Sequence, residues 1–82
     1  MPHVVVKLFP GRTDEQKQSC AQKIVEALGE TLGCPEGSVS VAFQDVAKTD
    51  WEKVYKAEIL GQGENLHKKP GYTMKDGEII NN

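Results

Sequence analysis

The feature that most constrains the fold is a long amphipathic helix between two strand-like runs. Residues 13–16, Thr-Asp-Glu-Gln, form a capping box, in which the Thr13 hydroxyl and the Gln16 side chain satisfy backbone N–H groups at a helix start. Apolar residues then recur on one helical face, and Gly33 is a natural C-terminal stop. The sequence therefore predicts a helix over about residues 14–32. Its apolar face comprises Cys20, Ala21, Ile24, Val25, Leu28 and Leu32.

Both runs that flank this helix have the composition of strands. Residues 3–8 are rich in valine and apolar on both faces, as in a buried parallel strand, whereas residues 38–44 alternate. A strand–helix–strand unit places its two strands in parallel with a right-handed crossover. Two strands alone do not make a stable sheet. We therefore expect an α+β fold with a parallel two-stranded core sheet, completed by self-association.

The C-terminal half is expected to add a second helix and, over residues 72–82, a strand or an extended arm with a frayed end. Asp50 is predicted to cap this helix, and Gly61 and Gly63 are predicted to end it. Its apolar face would comprise Trp51, Val54, Tyr55 and Ile59. The sequence predicts one domain over residues 1–76 and a flexible tail over residues 77–82.

Composition excludes several classes of function. The chain has 82 residues, a net charge of −2 and 27% charged residues, which gives no electrostatic case for binding nucleic acid. Its longest apolar run is too short to span a bilayer, and it lacks the features of a secretory signal, so we expect a cytoplasmic protein. Metal-binding and phosphate-binding motifs are absent from the sequence.

Pro2 directly precedes the first strand, and its chemistry depends on Met1. If Met1 is removed, the Pro2 nitrogen becomes a secondary amine that can take up and release a proton. Burial and a nearby cation such as Arg12 both lower the pKa of an amine from its reference value of about 8, although a proline amine starts higher. A neutral amine beside a carboxylate-binding arginine suits keto–enol tautomerisation of a 2-oxo acid, without metal or cofactor. A proline ahead of a strand is also an ordinary structural feature.

Arg12 and Trp51 are further candidates for a site. Arg12 lies in the turn between the first strand and the helix, where its guanidinium fork can bind a carboxylate; the alternative is an exposed arginine without a role. Trp51, the only tryptophan, either forms an apolar wall beside the amine or packs the second helix on the sheet. His3 and His67 are interpreted as structural or solvent-exposed residues.

Several short motifs follow one another with the order and spacing of a known enzyme family. The chain begins Met-Pro-His ahead of a strand, and residues 11–17 read Gly-Arg-Thr-Asp-Glu-Gln-Lys. Residues 38–41 read Ser-Val-Ser-Val, and residues 68–74 read Lys-Lys-Pro-Gly-Tyr-Thr-Met. In these motifs, over about residues 1–74, the chain resembles the tautomerase superfamily. The first three resemble 4-oxalocrotonate tautomerase, and the last resembles the PptA-type branch, whose members have phenylpyruvate tautomerase activity.

The resemblance implies the β-α-β tautomerase fold and assigns roles to four residues. Pro2 matches the catalytic base, Arg12 an arginine that engages a substrate carboxylate, and Trp51 an aromatic pocket wall. Ser40 stands where 4-oxalocrotonate tautomerase has a second arginine, and a hydroxyl supplies a hydrogen bond but no positive charge. A phenylpyruvate-like monoacid is therefore expected rather than a dicarboxylate. The resemblance also favours a homodimer over a hexamer.

Two alternatives remain open from the sequence. The same scaffold and amine could assist hydration, dehalogenation or decarboxylation of an unsaturated acid. The chain could also be a non-catalytic oligomeric binding module, in which case Met1 need not be removed.

Overall fold

A computed structural model describes residues 1–81 of the chain, which form two compact units. The first comprises Met1–Val46 and the second begins at Ala47. The predicted domain over residues 1–76 thus spans the whole first unit and most of the second. In the described part of the chain, no helix is long and apolar enough to cross a membrane.

The first unit contains the predicted strand–helix–strand order. Strand β1 spans His3–Leu8 and helix α1 spans Asp14–Leu32. The capping box is confirmed, because the Gln16 amide donates to Thr13 Oγ1 at 3.1 Å and the Thr13 amide donates to Gln16 Oε1 at 2.8 Å. Gly33 ends the helix in the left-handed region, at φ 70°.

Strand β2 begins two residues later than predicted and spans Ser40–Asp45. The preceding residues Glu36–Ser38 form a 3-10 turn. Both the amide and the hydroxyl of Ser38 donate to the Pro35 carbonyl, at 3.0 Å and 2.7 Å. These local hydrogen bonds compete with pairing in the sheet, so Ser38 closes a turn instead of opening the strand.

The two strands of the first unit are parallel, as the sequence predicts. Their register runs from His3 opposite Ser40 to Leu8 opposite Asp45. Because side chains alternate along a strand, one face of this sheet carries half-buried residues and the other carries more exposed ones. The more exposed face presents His3, Val5, Lys7, Ser40, Ala42 and Gln44.

The second unit opens with helical turns of three kinds. A 3-10 turn at Lys48–Asp50 leads into the short helix α2, Trp51–Val54, then a π-helical segment at Tyr55–Ile59 and a 3-10 segment at Leu60–Asn65. The prediction that Asp50 caps the helix is wrong. This residue already has helical dihedrals, φ −99° and ψ −3°, and its side chain makes no capping hydrogen bond.

A β-hairpin closes the second unit. Strands β3, Tyr72–Lys75, and β4, Glu78–Asn81, pair in antiparallel fashion. Asp76 and Gly77 both have positive φ, at 52° and 81°, as a two-residue type I′ turn requires. Residues 77–81, for which the sequence predicts a flexible tail, therefore form part of a paired turn and strand, and residue 82 lies outside the described part.

Candidate active site

Pro2 stands half-buried at the head of strand β1, with an exposed Met1 before it. Its carbonyl accepts a hydrogen bond from the Ser40 amide at 3.2 Å. This bond uses the carbonyl and leaves the Pro2 nitrogen out of the sheet's hydrogen bonding. Removal of Met1 would therefore create a secondary amine on a residue that is already attached to strand β2.

Ser40 also contacts the residue that follows Pro2. Its Oγ lies 2.7 Å from His3 Nδ1, and both side chains are exposed. The structure thus brings two of the predicted site residues, Pro2 and Ser40, together at one end of the parallel sheet. It also adds His3, for which the sequence predicts a structural or solvent-exposed role.

Arg12 lies at the other end of strand β1. It follows Gly11, whose φ of 130° favours glycine, and it directly precedes the cap of helix α1. The start of that helix is held at the C-terminal end of the sheet, because Lys17 Nζ lies 3.0 Å from the Asp45 carboxylate. Strand β1, which is six residues and about 20 Å long, lies between Pro2 and Arg12. Within one chain the exposed Arg12 therefore does not reach the Pro2 nitrogen.

Trp51 belongs to the second unit, where it is part of an aromatic cluster. Its Nε1–H donates to the Tyr72 hydroxyl at 3.0 Å. The Tyr72 ring in turn lies 5.8 Å from the Tyr55 ring, measured between centroids, with the two planes inclined by 37°. Tyr55 is the most enclosed apolar residue of the described chain, at 6% exposure. Trp51 thus has a clear packing role within its own unit.

A charged pair supports the same unit. The Glu52 carboxylate lies 2.8 Å from Lys56 Nζ and also accepts a hydrogen bond from the Gly77 amide in the hairpin turn. The hydrogen bond from Lys56, followed by the one from Gly77, lowers the pKa of Glu52. The hydrogen bond to Glu52 raises the pKa of Lys56. These two groups connect the helical segment to the hairpin.

The first unit and the start of the second match a known enzyme family. Residues 2–52 fit the family model described as tautomerase enzyme, which covers Pro2, Arg12, Ser40 and Trp51. The chain belongs to the tautomerase family. Within residues 1–81 of this tautomerase, no group of three or more His, Cys, Asp and Glu side chains could hold a metal ion.

Curated relatives place this tautomerase in the PptA-type branch. It is 47% identical over 75 residues to Tautomerase PptA of Klebsiella pneumoniae, a match that covers 90% of this chain and 100% of the relative. It is 41% identical over 73 residues to a probable tautomerase of Xylella fastidiosa, covering 88% and 89% of the two chains.

Solved structures with the same fold correspond to part of this tautomerase. YwhB, a homologue of 4-oxalocrotonate tautomerase, is 42% identical with a TM-score of 0.56, over 58% of this chain and 79% of that one. A 4-oxalocrotonate tautomerase isozyme from Methylibium petroleiphilum is 38% identical with a TM-score of 0.57, over 61% and 81%. These similarities support the β-α-β tautomerase fold.

Proposed function

We propose that this tautomerase interconverts the keto and enol forms of a 2-oxo carboxylic acid, with the Pro2 amine as general base after loss of Met1. The observation that carries the proposal is the position of Pro2. It is half-buried, it heads a strand, and its carbonyl is bonded to Ser40, so a terminal amine there would have a defined position. A general base needs that fixed geometry before it needs a tuned pKa.

The surroundings of Pro2 favour a neutral amine. Partial burial disfavours the charged form and lowers the pKa of an amine. The neutral nitrogen can take a proton from the enol hydroxyl or from the carbon next to the carbonyl, and return it at the other position. This exchange requires no metal or cofactor, because the reaction moves protons and a double bond only.

Arg12, Ser40 and Trp51 are proposed to bind the substrate. The Arg12 guanidinium can hold a carboxylate through two parallel hydrogen bonds. Ser40, beside Pro2, offers a hydroxyl and no positive charge. A single carboxylate with an apolar or aromatic tail, as in phenylpyruvate, fits one cation better than a dicarboxylate does, and Trp51 is the proposed wall for that tail.

The separation of Pro2 from Arg12 supports an oligomeric enzyme. Because the two residues lie at opposite ends of strand β1, a site that uses both would take Arg12 from a neighbouring copy. Exposed apolar surface supports association as well. Helix α1 has no buried residue, and Val5 and Leu32 are 43% and 69% exposed. We propose a homodimer of a tautomerase domain over residues 1–76.

The proposal is tested by kinetics on protein whose loss of Met1 is verified by intact mass. This protein should accelerate ketonisation of phenylenolpyruvate, and Pro2→Ala, which replaces the rigid secondary amine with a primary amine, should lower kcat by roughly 100-fold, within the range of general-base effects. Pro35→Ala is the matched control, because Pro35 is exposed and outside the site. Protein that retains Met1 should be at least as impaired as Pro2→Ala, because its Pro2 nitrogen is an amide. An unimpaired Pro2→Ala enzyme would overturn the assignment of Pro2 as the base, and an inactive unmodified protein without Met1 would leave a binding module as the better description.

A further inference from the structure

Ser40 holds two consecutive residues of the N-terminal segment. Its amide donates to the Pro2 carbonyl at 3.2 Å, and its hydroxyl lies 2.7 Å from His3 Nδ1. The first bond belongs to the sheet and would exist with any residue other than proline at this position. The second depends on the particular side chains of His3 and Ser40, which are opposite each other in the parallel register.

The hydrogen bond between His3 and Ser40 lies next to the N-terminus, where a chain without Met1 is least restrained. Pro2 would then be the terminal residue, and terminal residues fray unless they are tied down. His3 is the first residue of strand β1, and it is exposed, so packing does little to hold it. The hydrogen bond to Ser40 therefore adds a restraint one residue away from the amine, where a displacement of about 1 Å is enough to slow a positioned reaction.

We propose that His3 is a positioning residue for the Pro2 amine, acting through Nδ1 and the Ser40 hydroxyl. The proposal rests on the proposed function, since it presumes that the Pro2 amine reacts. It assigns His3 no contact with the substrate. Its effect is to hold the start of strand β1 on strand β2, and thereby the terminal proline that precedes it.

The identity of the ring nitrogen gives the proposal a sharp test. Among the described residues, the hydrogen bond of His3 is made through Nδ1, and none is formed by Nε2. An asparagine amide places a polar atom near the position of Nδ1, whereas a glutamine amide places one near that of Nε2. His3→Asn should therefore keep the bond to Ser40, and His3→Gln and His3→Ala should lose it.

Kinetics on protein without Met1 should separate these variants. We expect His3→Asn to retain kcat within about twofold, and His3→Gln and His3→Ala to lower kcat by roughly two- to tenfold with KM little changed, as for loss of one hydrogen bond that aligns the base. The proposal is overturned if His3→Ala is as fast as the unmodified enzyme, or if His3→Asn is no faster than His3→Gln.

A double-mutant comparison tests whether His3 acts through Ser40. His3→Ala combined with Ser40→Ala should lower kcat no further than Ser40→Ala alone, because both changes remove the same bond. Ser19→Ala and His67→Ala are matched controls, since both residues are exposed and neither belongs to the site. Additive losses of kcat would contradict the coupling.

Amide hydrogen exchange separates failure of this proposal from failure of the proposed function. The Ser40 amide should exchange faster in His3→Ala and His3→Gln than in the unmodified protein and in His3→Asn, whether or not the protein is catalytic. If exchange follows this order and Pro2→Ala leaves the reaction unaffected, the proposed function fails while the restraint stands. If Pro2→Ala abolishes the reaction and exchange is the same in all variants, the role of His3 is wrong and the function stands.

Discussion

Pro2 and Arg12 lie at opposite ends of strand β1. Pro2 heads the strand, and Arg12 follows its C-terminal end by four residues, next to the start of helix α1. The strand between them is about 20 Å long, which an arginine side chain does not span. A site that needs both the amine and the guanidinium therefore has to combine two copies of the chain.

This geometry predicts that two inactive variants can complement each other. Pro2→Ala and Arg12→Ala should each be impaired as pure oligomers. Unfolding and refolding them as a mixture should restore part of the activity, because a mixed oligomer contains sites that take an intact Pro2 from one copy and an intact Arg12 from the other. The recovery is measured as kcat/KM for ketonisation of phenylenolpyruvate.

The control for complementation is the double variant that carries both changes in one chain. Mixed with Pro2→Ala, it supplies no intact Pro2, so no activity should return. If the first mixture recovers no activity although mass spectrometry detects mixed oligomers, each site uses Pro2 and Arg12 of a single chain.

Arg12 should act on substrate binding more than on proton transfer. Arg12→Ala should lower kcat/KM by roughly 10- to 100-fold, mainly through KM, because charge-assisted hydrogen bonds contribute about 1.5–3 kcal/mol. Arg12→Lys should recover only part of this loss, since an ammonium lacks the planar fork. Lys23→Ala is the control, because Lys23 is an exposed cation elsewhere on helix α1. An unchanged KM in Arg12→Ala would contradict the assignment.

Local signals in the sequence predict the first unit well. The bounds of helix α1 follow from a capping box at Thr13 and a left-handed stop at Gly33, both of which are local hydrogen-bonding features. The parallel pairing follows from the strand–helix–strand order. The start of strand β2 is less predictable, because alternation at Ser38 competes with its hydrogen bonds to the Pro35 carbonyl.

The contact between His3 and Ser40 could not be predicted in the same way. The two residues are 37 positions apart, and which residues face each other depends on the register of the strands. The end of the chain did carry a local signal. Asp76-Gly77 is a strong marker of a two-residue hairpin, whereas Gly77, Asn81 and Asn82 taken by themselves predict a frayed tail.

The capping box makes a prediction about stability. Thr13→Ala should lower the free energy of unfolding by about 1 kcal/mol, because the Gln16 amide loses its acceptor at the helix start. Thr31→Ala is the matched control. The Thr31 hydroxyl donates to the Ala27 carbonyl at 2.7 Å, but that carbonyl lies within the helix and alanine is a better helix former. Urea unfolding should show a loss for Thr13→Ala that is clearly larger than for Thr31→Ala.

Glu52 should make the free energy of unfolding depend on pH. Its pKa is lowered from an ordinary value of 4.5, first by the hydrogen bond from Lys56 and then by the one from Gly77. A carboxylate with a lowered pKa stabilises the folded state above its unfolded pKa, and this contribution is lost as pH falls through the folded pKa. Glu52→Gln should therefore lower the free energy of unfolding near neutral pH and make that free energy fall less steeply as the pH is lowered. Glu64→Gln, at an exposed site, should have neither effect. Urea unfolding between about pH 3 and about pH 7 measures the difference; parallel curves for the unmodified and Glu52→Gln proteins would contradict it.

The Tyr72 hydroxyl is predicted to stabilise the second unit through Trp51. Tyr72→Phe keeps the ring that lies 5.8 Å from Tyr55, and removes the acceptor of the Trp51 Nε1–H bond. Loss of one part-buried hydrogen bond should lower the free energy of unfolding by about 1 kcal/mol. Tyr55→Phe is the matched control, because it also removes a tyrosine hydroxyl but leaves this bond intact. Since Trp51 is the only tryptophan, its fluorescence during urea unfolding reports directly on this unit. Equal stabilities for the two variants would show that the hydroxyl of Tyr72 has no special role.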